Sequence, residues 1–279
     1  MDDARATTLI TVEELTKLLD AKSPVVLLDV LDEAGAAPDD RPKIPSALSV
    51  NLAADFSGKP TTLSGRRPLP QIGDLQTKTR AWGIHTDSTV VVYDNAGGAQ
   101  ASRAWWTLRW ADLNNVRILD GGYAAWAAAH RPSSNQFATS AARAGDITLT
   151  PGHMPTIEAD EAAALAKQGK LFDARPRSSY VGDPAKAGTG HIPGAIHAAA
   201  GDTIADGKFK STDDLRARFT SLGAGGSATV GVYCGSGNSA AHAIAAMTAA
   251  GLKPALYVGS WSAWSADPAR PAATGPERG

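Results

Sequence analysis

A chain of 279 residues is long enough for one large domain or two of ordinary size. Hydrophobic residues make up 43% and charged ones 20%, with 27 basic against 28 acidic side chains, a balance that argues against disorder, nucleic-acid binding and membrane-surface attachment. A single cysteine, Cys234, excludes an internal disulfide and any Cys-rich metal site, and the lack of a signal-like or membrane-spanning apolar run leads us to expect a soluble, cytoplasmic protein.

Thr11 and Glu14 form a capping box ahead of the helical stretch "VEELTKLLDA". "PVVLLDV", "TVVVYD" and "VRILDG" are short, β-branched runs bounded by turn residues, the pattern of strands buried on both faces. A helical stretch, "QASRAWWTLRWAD", lies between the second and the third; its Trp105, Trp106 and Trp110 read as interdomain or core packing. Strands alternating with helices predict an α/β domain, a parallel sheet with helices on both faces. "RPSSNQFATSAARAGD", from Arg131, then reads as a linker.

After the linker the punctuation repeats in the same order. "TVEEL" returns as "TIEAD", "VVLLDV" as "KLFDA", "KIPSAL" as "HIPGAI", "TVVVYDN" as "TVGVYCG" and "LDGGYAAW" as "YVGSWSAW". A repeat of about 140 residues is a whole domain rather than a unit of an array. The chain is therefore expected to hold two tandem domains, residues 1–130 and 154–279, joined by 131–153.

Ligands of open parallel sheets gather beyond the carboxyl ends of the strands. Cys234 stands at such an end: the strand "TVGVY" stops at Tyr233, the loop "CGSGNS" follows, and a helix begins near Ser239 and closes at Gly251. Gly235 and Gly237 allow several N–H groups to converge on one point, which is also the positive end of a helix dipole. Such a loop can hold an anion or favour a thiolate nucleophile. In the first half the equivalent position is Asp94, which has no thiol chemistry, so one half is expected to be active and the other to be catalytically inactive support.

Two such α/β repeats, with "HIPGAI", "FDARP", "YCGSG" and "GSWSAW" in this order, closely resemble the tandem-domain rhodanese family of sulfurtransferases. The resemblance implies that Cys234 takes the outer sulfur of a donor as a persulfide and passes it to a thiophilic acceptor, cyanide or a thiol, with a thioredoxin-like protein as a candidate reductant. It makes Gly235, Ser236, Gly237, Asn238 and Ser239 the anion cradle. No cofactor or metal is expected, and none of the histidines has metal-ligand spacing. "CGSGNS" looks like the loop of members that use 3-mercaptopyruvate, with Ser236 placed at the leaving enolate; thiosulfate is the second expectation. Phosphatases on the same fold use Cys-x5-Arg, and the sixth residue after Cys234 is Ala240.

Three positions depart from the family pattern. Ser179 stands where a substrate arginine is usual, so Arg177 and Lys186 become the candidates for donor binding, and Arg175 a third that reads better as half of an ion pair with Asp173. Lys43 replaces the first-half histidine of a proton relay, and Asn238 replaces a branched apolar residue. His191 reads as a hydrogen-bonded structural residue and His242 as packing. These departures leave a competing expectation, a catalytically weak persulfide-binding or sulfur-relay module with an altered donor pocket.

Overall fold

The computed structural model describes residues 2–32, 41–225 and 229–279. In chain order the first half forms α1 (Asp2–Ala6), β1 (Leu9–Ile10), α2 (Val12–Asp20), β2 (Val25–Leu31), β3 (Leu48–Asn51), α3 (Leu52–Phe56), α4 (Ile72–Ala81), β4 (Thr89–Tyr93), α5 (Ala99–Trp110), β5 (Val116–Leu119) and α6 (Gly122–Ala128). The second forms β6 (Thr156–Ile157), α7 (Ala159–Lys167), β7 (Leu171–Asp173), α8 (Arg177–Val181), β8 (Ile196–His197), the ribbon β9 (Ile204–Ala205) and β10 (Lys208–Phe209), α9 (Thr212–Ser221), β11 (Gly231–Tyr233), α10 (Asn238–Ala249), β12 (Ala255–Tyr257) and α11 (Ser260–Trp264). The two five-stranded sheets have matching orders, β1-β5-β4-β2-β3 and β6-β12-β11-β7-β8. Every pairing within them is parallel. The tandem α/β arrangement expected from the repeat is the observed one.

Local chemistry explains the elements. The Thr11 hydroxyl accepts the Glu14 N–H and the Glu14 carboxylate accepts the Thr11 N–H, closing the capping box that starts α2. β4 is buried along its whole length, as a central parallel strand should be. "KIPSAL" and "HIPGAI" are structural twins: the Ile44 N–H donates to the Tyr93 hydroxyl at 3.2 Å, and the Ile192 N–H to the Tyr233 hydroxyl at 3.1 Å.

Helices α5 and α10 pack against one another between the two sheets. Both are buried almost all round, with Ala101–Leu108 of one and Ala240–Met247 of the other removed from solvent. The alanines of α10 let the helices approach closely, and one hydrophobic cluster runs from Leu28, Val90 and Trp106 across to Phe172, Val232 and Ile244. The domains therefore share a core. α1 adds a polar tie: Arg5 bonds the Asp120 carboxylate at 3.0 Å and the Lys210 carbonyl at 2.9 Å, and the Phe209 N–H donates to Asp120 at 2.8 Å.

The segment 131–153 has no helix or strand but is not a loose tether. It runs along the first domain, with Lys43 and Ser134 bridged, the Ser49 N–H donating to the Ala138 carbonyl at 2.7 Å, and Ile147 and Leu149 buried. Among the described residues no helix is long and apolar enough to cross a membrane.

Candidate active site

β11 lies between β7 and β12, so its carboxyl end opens at the middle of the sheet, and Cys234 is the first residue beyond it. Helix α10 begins one residue earlier than its sequence suggests, at Asn238, with Gly237 as N-cap at φ +99°. That left-handed conformation turns the Gly237 N–H onto the Cys234 Sγ at 3.1 Å. At the other end, Gly251 takes φ +81° and its N–H bonds the Thr248 carbonyl at 2.8 Å, closing α10 where the glycine was expected to close it.

The start of α11 clamps the cysteine from the other side. The Trp261 N–H donates to the Cys234 carbonyl at 2.8 Å and the Ser262 N–H to the Gly235 carbonyl at 3.0 Å. The Ser260 hydroxyl accepts the Cys234 N–H at 3.3 Å and donates to the Tyr257 carbonyl at 2.9 Å. Ser260 holds φ +50°, a region that a residue with a Cβ enters at a cost. Its repeat counterpart, in "LDGGYAAW", is Gly122 at φ +58°. The second half has thus placed a hydroxyl where the first keeps a glycine. Sequence reading passed over Ser260; the mismatch of Ser with Gly in the repeat alignment was its signal.

The twin loop of the first half holds a carboxylate. Asp94 occupies the cysteine position, and its Oδ1 accepts the N–H groups of Ala96 at 2.9 Å and Gly98 at 2.8 Å while Oδ2 accepts that of Ala101 at 2.9 Å. The cradle is filled by an anion from its own chain. In the second half the loop to the N-cap glycine is one residue shorter, and the Gly237 N–H faces sulfur instead.

The domains complete one another's loops crosswise. Five residues beyond Gly98, Arg103 of α5 reaches across to Gly237; five residues beyond Gly237, His242 of α10 reaches back to Gly98. A Cβ on Gly237 would stand 2.7 Å from Arg103 Nη1, and one on Gly98 3.4 Å from the His242 ring. The Arg103 guanidinium is fully buried; Nη2 donates to the Arg67 carbonyl at 3.0 Å, and Nε and Nη1 have no hydrogen-bond partner among the described residues. Burial lowers this arginine to about 10, against the opposing pull of the Cys234 sulfur. His242 meets Thr203 Oγ1 at 3.1 Å and stacks on Phe209, with its centroid 4.7 Å away; burial pushes the imidazole below its ordinary range. The packing role expected of His242 is the one observed.

A turn at residues 61–65 of the first domain reaches the Cys234 side of the second, much as β9–β10 of the second reaches the Asp94 side of the first. Thr61 and Gly65 bridge, Gly65 takes φ +75°, and the next residue, Arg66, donates its N–H to Ser262 Oγ at 3.0 Å. The exposed Arg66 side chain folds over the loop, with Nη2 3.3 Å from the position a Cβ on Gly235 would take. Arg67 bonds Asp32 at 2.7 Å, and its buried Nη1 has no hydrogen-bond partner among the described residues. None of these three arginines was singled out from the sequence.

The residues that were singled out fall into two groups. Gly235, Ser236, Asn238 and Ser239 are half-buried around the thiol, Gly237 is buried, and Cys234 itself is only 2% exposed. Asn238 Oδ1 is buried and has no hydrogen-bond partner among the described residues. Arg175 is interior: its fork bonds Asp173 at 2.9 and 3.0 Å through Nε and 2.5 Å through Nη2, bonds the Gly190 carbonyl at 2.7 Å, and lies 4.7 Å over the Trp261 ring. This is the internal ion pair expected of it. Arg177 and Ser179 are exposed on α8, and the exposed Lys186 faces Asp183 at 3.7 Å; no hydrogen bond or ion pair among the described residues ties any of them to the Cys234 loop. His191 is held by the Tyr180 carbonyl at 2.8 Å and stacks on the Tyr180 ring, as a structural histidine. Lys43 is buried in its own domain, with Nζ 3.4 Å from Ser49 Oγ and over the Phe137 ring.

Comparison with known proteins agrees with this architecture. A profile of the rhodanese-like domain matches residues 11–129 and again 158–267. The putative thiosulfate sulfurtransferase SseB of Mycobacterium tuberculosis (strain ATCC 25618 / H37Rv) is 40% identical over 98% of this chain and 99% of its own. A probable 3-mercaptopyruvate sulfurtransferase of Pseudomonas aeruginosa is 42% identical over 83% of this chain and 84% of its own. Among solved structures, the 3-mercaptopyruvate sulfurtransferase SseA of Escherichia coli superposes with a TM-score of 0.75 at 25% identity, over 91% of this chain and 99% of that one. YnjE shares the fold, with a TM-score of 0.82 at 23% identity, over 97% of this chain and 69% of that one. With a rhodanese-like domain in each half and one cysteine at the strand end of the second, the chain belongs to the rhodanese family and is a tandem-domain sulfurtransferase.

Proposed function

We propose that Cys234 carries sulfane sulfur as a persulfide, taken from 3-mercaptopyruvate in preference to thiosulfate and delivered to a thiol or cyanide, with a thioredoxin-like protein as the reducing partner. The observation that carries the reading is the Asp94 carboxylate held by three N–H groups in the inactive loop. The same fold on the active side aims the Gly237 N–H at Sγ, which suits a sulfur anion before and after transfer. Arg103, buried against Gly237, adds a fixed positive charge where water is excluded.

In the first half-reaction the Cys234 sulfur anion attacks the thiol sulfur of 3-mercaptopyruvate. An S–S bond forms, the C–S bond breaks, and its electron pair passes to the enolate of pyruvate, which takes up the thiol proton at carbon. With thiosulfate the leaving group is sulfite, and no proton moves. In the second, cyanide or a thiolate attacks the outer sulfur and the Cys234 anion is regenerated. Ser236, half-buried beside the thiol, is the donor assigned to the enolate oxygen. The loop "CGSGNS" and the relatives named for 3-mercaptopyruvate support the first donor; the SseB relative supports the second.

The test is pyruvate release from 3-mercaptopyruvate in the presence of a thiol, set against sulfite release from thiosulfate. Wild type should favour 3-mercaptopyruvate in kcat/KM, and Cys234→Ser should abolish both activities. A wild type inert toward both donors would sink the reading.

A further inference from the structure

The active loop contains no cation, and Ser179 removes the one expected nearby. Both donors are nevertheless anions beyond their transferable sulfur, one ending in a carboxylate and the other in a sulfonate. The first domain provides what the second lacks. Arg66 is fixed at its root by the bond from its N–H to Ser262 Oγ, on the helix that also clamps Cys234 and Gly235. That root cannot shift freely, because a Cβ on Gly65 would lie 2.6 Å from the Gly259 carbonyl and 2.7 Å from Ser262 Oγ. The head of Arg66 hangs beside Gly235, and no carboxylate among the described residues pairs with it. Beneath the same loop Arg103 is wholly buried, and its Nε and Nη1, like the buried Nη1 of Arg67, have no hydrogen-bond partner among the described residues. Buried guanidinium N–H groups without acceptors are costly unless an anion arrives to meet the charge.

We infer that Arg66, supplied by the catalytically inactive domain, grips the anionic head group of the sulfur donor over Cys234, in place of the arginine missing at Ser179. The inference rests on the sulfurtransferase reading for its substrate and on geometry alone for its site. It gives the inactive domain a direct role in substrate selection: one domain holds the sulfur and the other holds the charge. An arginine suits either head group, since its fork can bond two oxygens of a carboxylate or of a sulfonate.

Arg66 is exposed, so Arg66→Ala and Arg66→Lys should fold as wild type. Loss of one charge-assisted contact should raise KM for the preferred donor roughly 10- to 100-fold with little change in kcat, and Arg66→Lys should recover part of it. The donor whose KM rises more identifies the head group. A second readout needs no sulfur transfer: the rate of Cys234 alkylation by iodoacetate, an anion, relative to iodoacetamide, a neutral analogue. That ratio should fall severalfold in Arg66→Ala, whereas a general loosening of the loop would move both rates together. If KM and the alkylation ratio are unchanged, the inference is overturned, and a KM increase in Arg177→Ala alone would place the grip on the second domain. If wild type turns over neither donor but the ratio still falls in Arg66→Ala, the anion site stands and the sulfurtransferase reading fails instead.

Discussion

Gly237→Ala probes the joint between the two domains and the sulfur loop. The substitution has two separable effects. An L-residue at φ +99° pays a backbone penalty of about 1–2 kcal/mol whatever its neighbours. The added Cβ would also lie 2.7 Å from Nη1 and 3.4 Å from Cζ of Arg103, a side chain with 0% exposure and little room to retreat; overpacking of this kind costs about 1–3 kcal/mol. The single variant should therefore lose about 2–5 kcal/mol in guanidinium chloride unfolding followed by tryptophan fluorescence. Arg103→Ala makes room for the methyl group and removes the second effect but not the first. A cycle of the four proteins should thus return a coupling of about 1–3 kcal/mol, the double variant being more stable than the sum of the singles implies. Additivity within about 0.5 kcal/mol would refute the contact, and with it the argument that the first domain supports the active loop from beneath.

Ser260→Ala keeps the strained φ of +50° and removes the acceptor of the Cys234 N–H, so it should cost about 1–3 kcal/mol and slow persulfide formation; Ser260→Gly relieves the backbone, as Gly122 does in the twin, and should melt higher than Ser260→Ala while remaining slow. Asp94→Ala leaves three loop N–H groups without their acceptor, so thermal unfolding should show a loss of about 2–4 kcal/mol with kcat/KM for either donor essentially unchanged. Asp120→Ala removes the partner of both Arg5 and the Phe209 N–H across the domain boundary and should destabilise by about 1–3 kcal/mol, read as a lower denaturation midpoint. The His242 imidazole is pushed down by burial, so the stability it contributes is present above about pH 6.5 and is lost as pH falls below that value toward its folded pKa. The stability difference between wild type and His242→Gln should accordingly be flat above pH ~7 and shrink on acidification; a pH-independent difference would show that the ring is not held neutral.

The sequence was most legible where structure is local. Thr11 and Glu14 announce their helix because a capping box spans one turn, and "TVVVYD" announces a central strand because it is apolar on both faces. The strand-end loop at Cys234 was legible for the same reason, through Gly237 and the helix that follows. Asp94 could be placed at the cysteine position from the repeat, but not as the acceptor of three loop N–H groups, which depends on three backbone directions. Arg66 and Arg103 were hidden altogether. They meet the cysteine loop only through the packing of α5 on α10 and the docking of a turn onto Ser262, contacts between distant parts of the chain that no local pattern records. Arg177 and Lys186, named from their place in the sequence, are exposed, and Lys186 faces Asp183.

The same docking accounts for the lopsided repeat. Both halves build a cradle at a strand end, and each lends the other a side chain five residues into its helix. One half filled its cradle with its own carboxylate and lends an arginine; the other left its cradle to sulfur and lends a histidine that packs. A cysteine at position 94 would forgo the three bonds that Asp94 accepts from the N–H groups of Ala96, Gly98 and Ala101.

The most direct measurement is the intact mass of the protein after brief incubation with 3-mercaptopyruvate, followed by peptide mapping. A gain of one sulfur atom, ~32 Da, located on the peptide containing Cys234, lost on adding cyanide and absent from Cys234→Ser, is the expected result. Pyruvate released with no mass gain on that peptide would contradict persulfide carriage at Cys234.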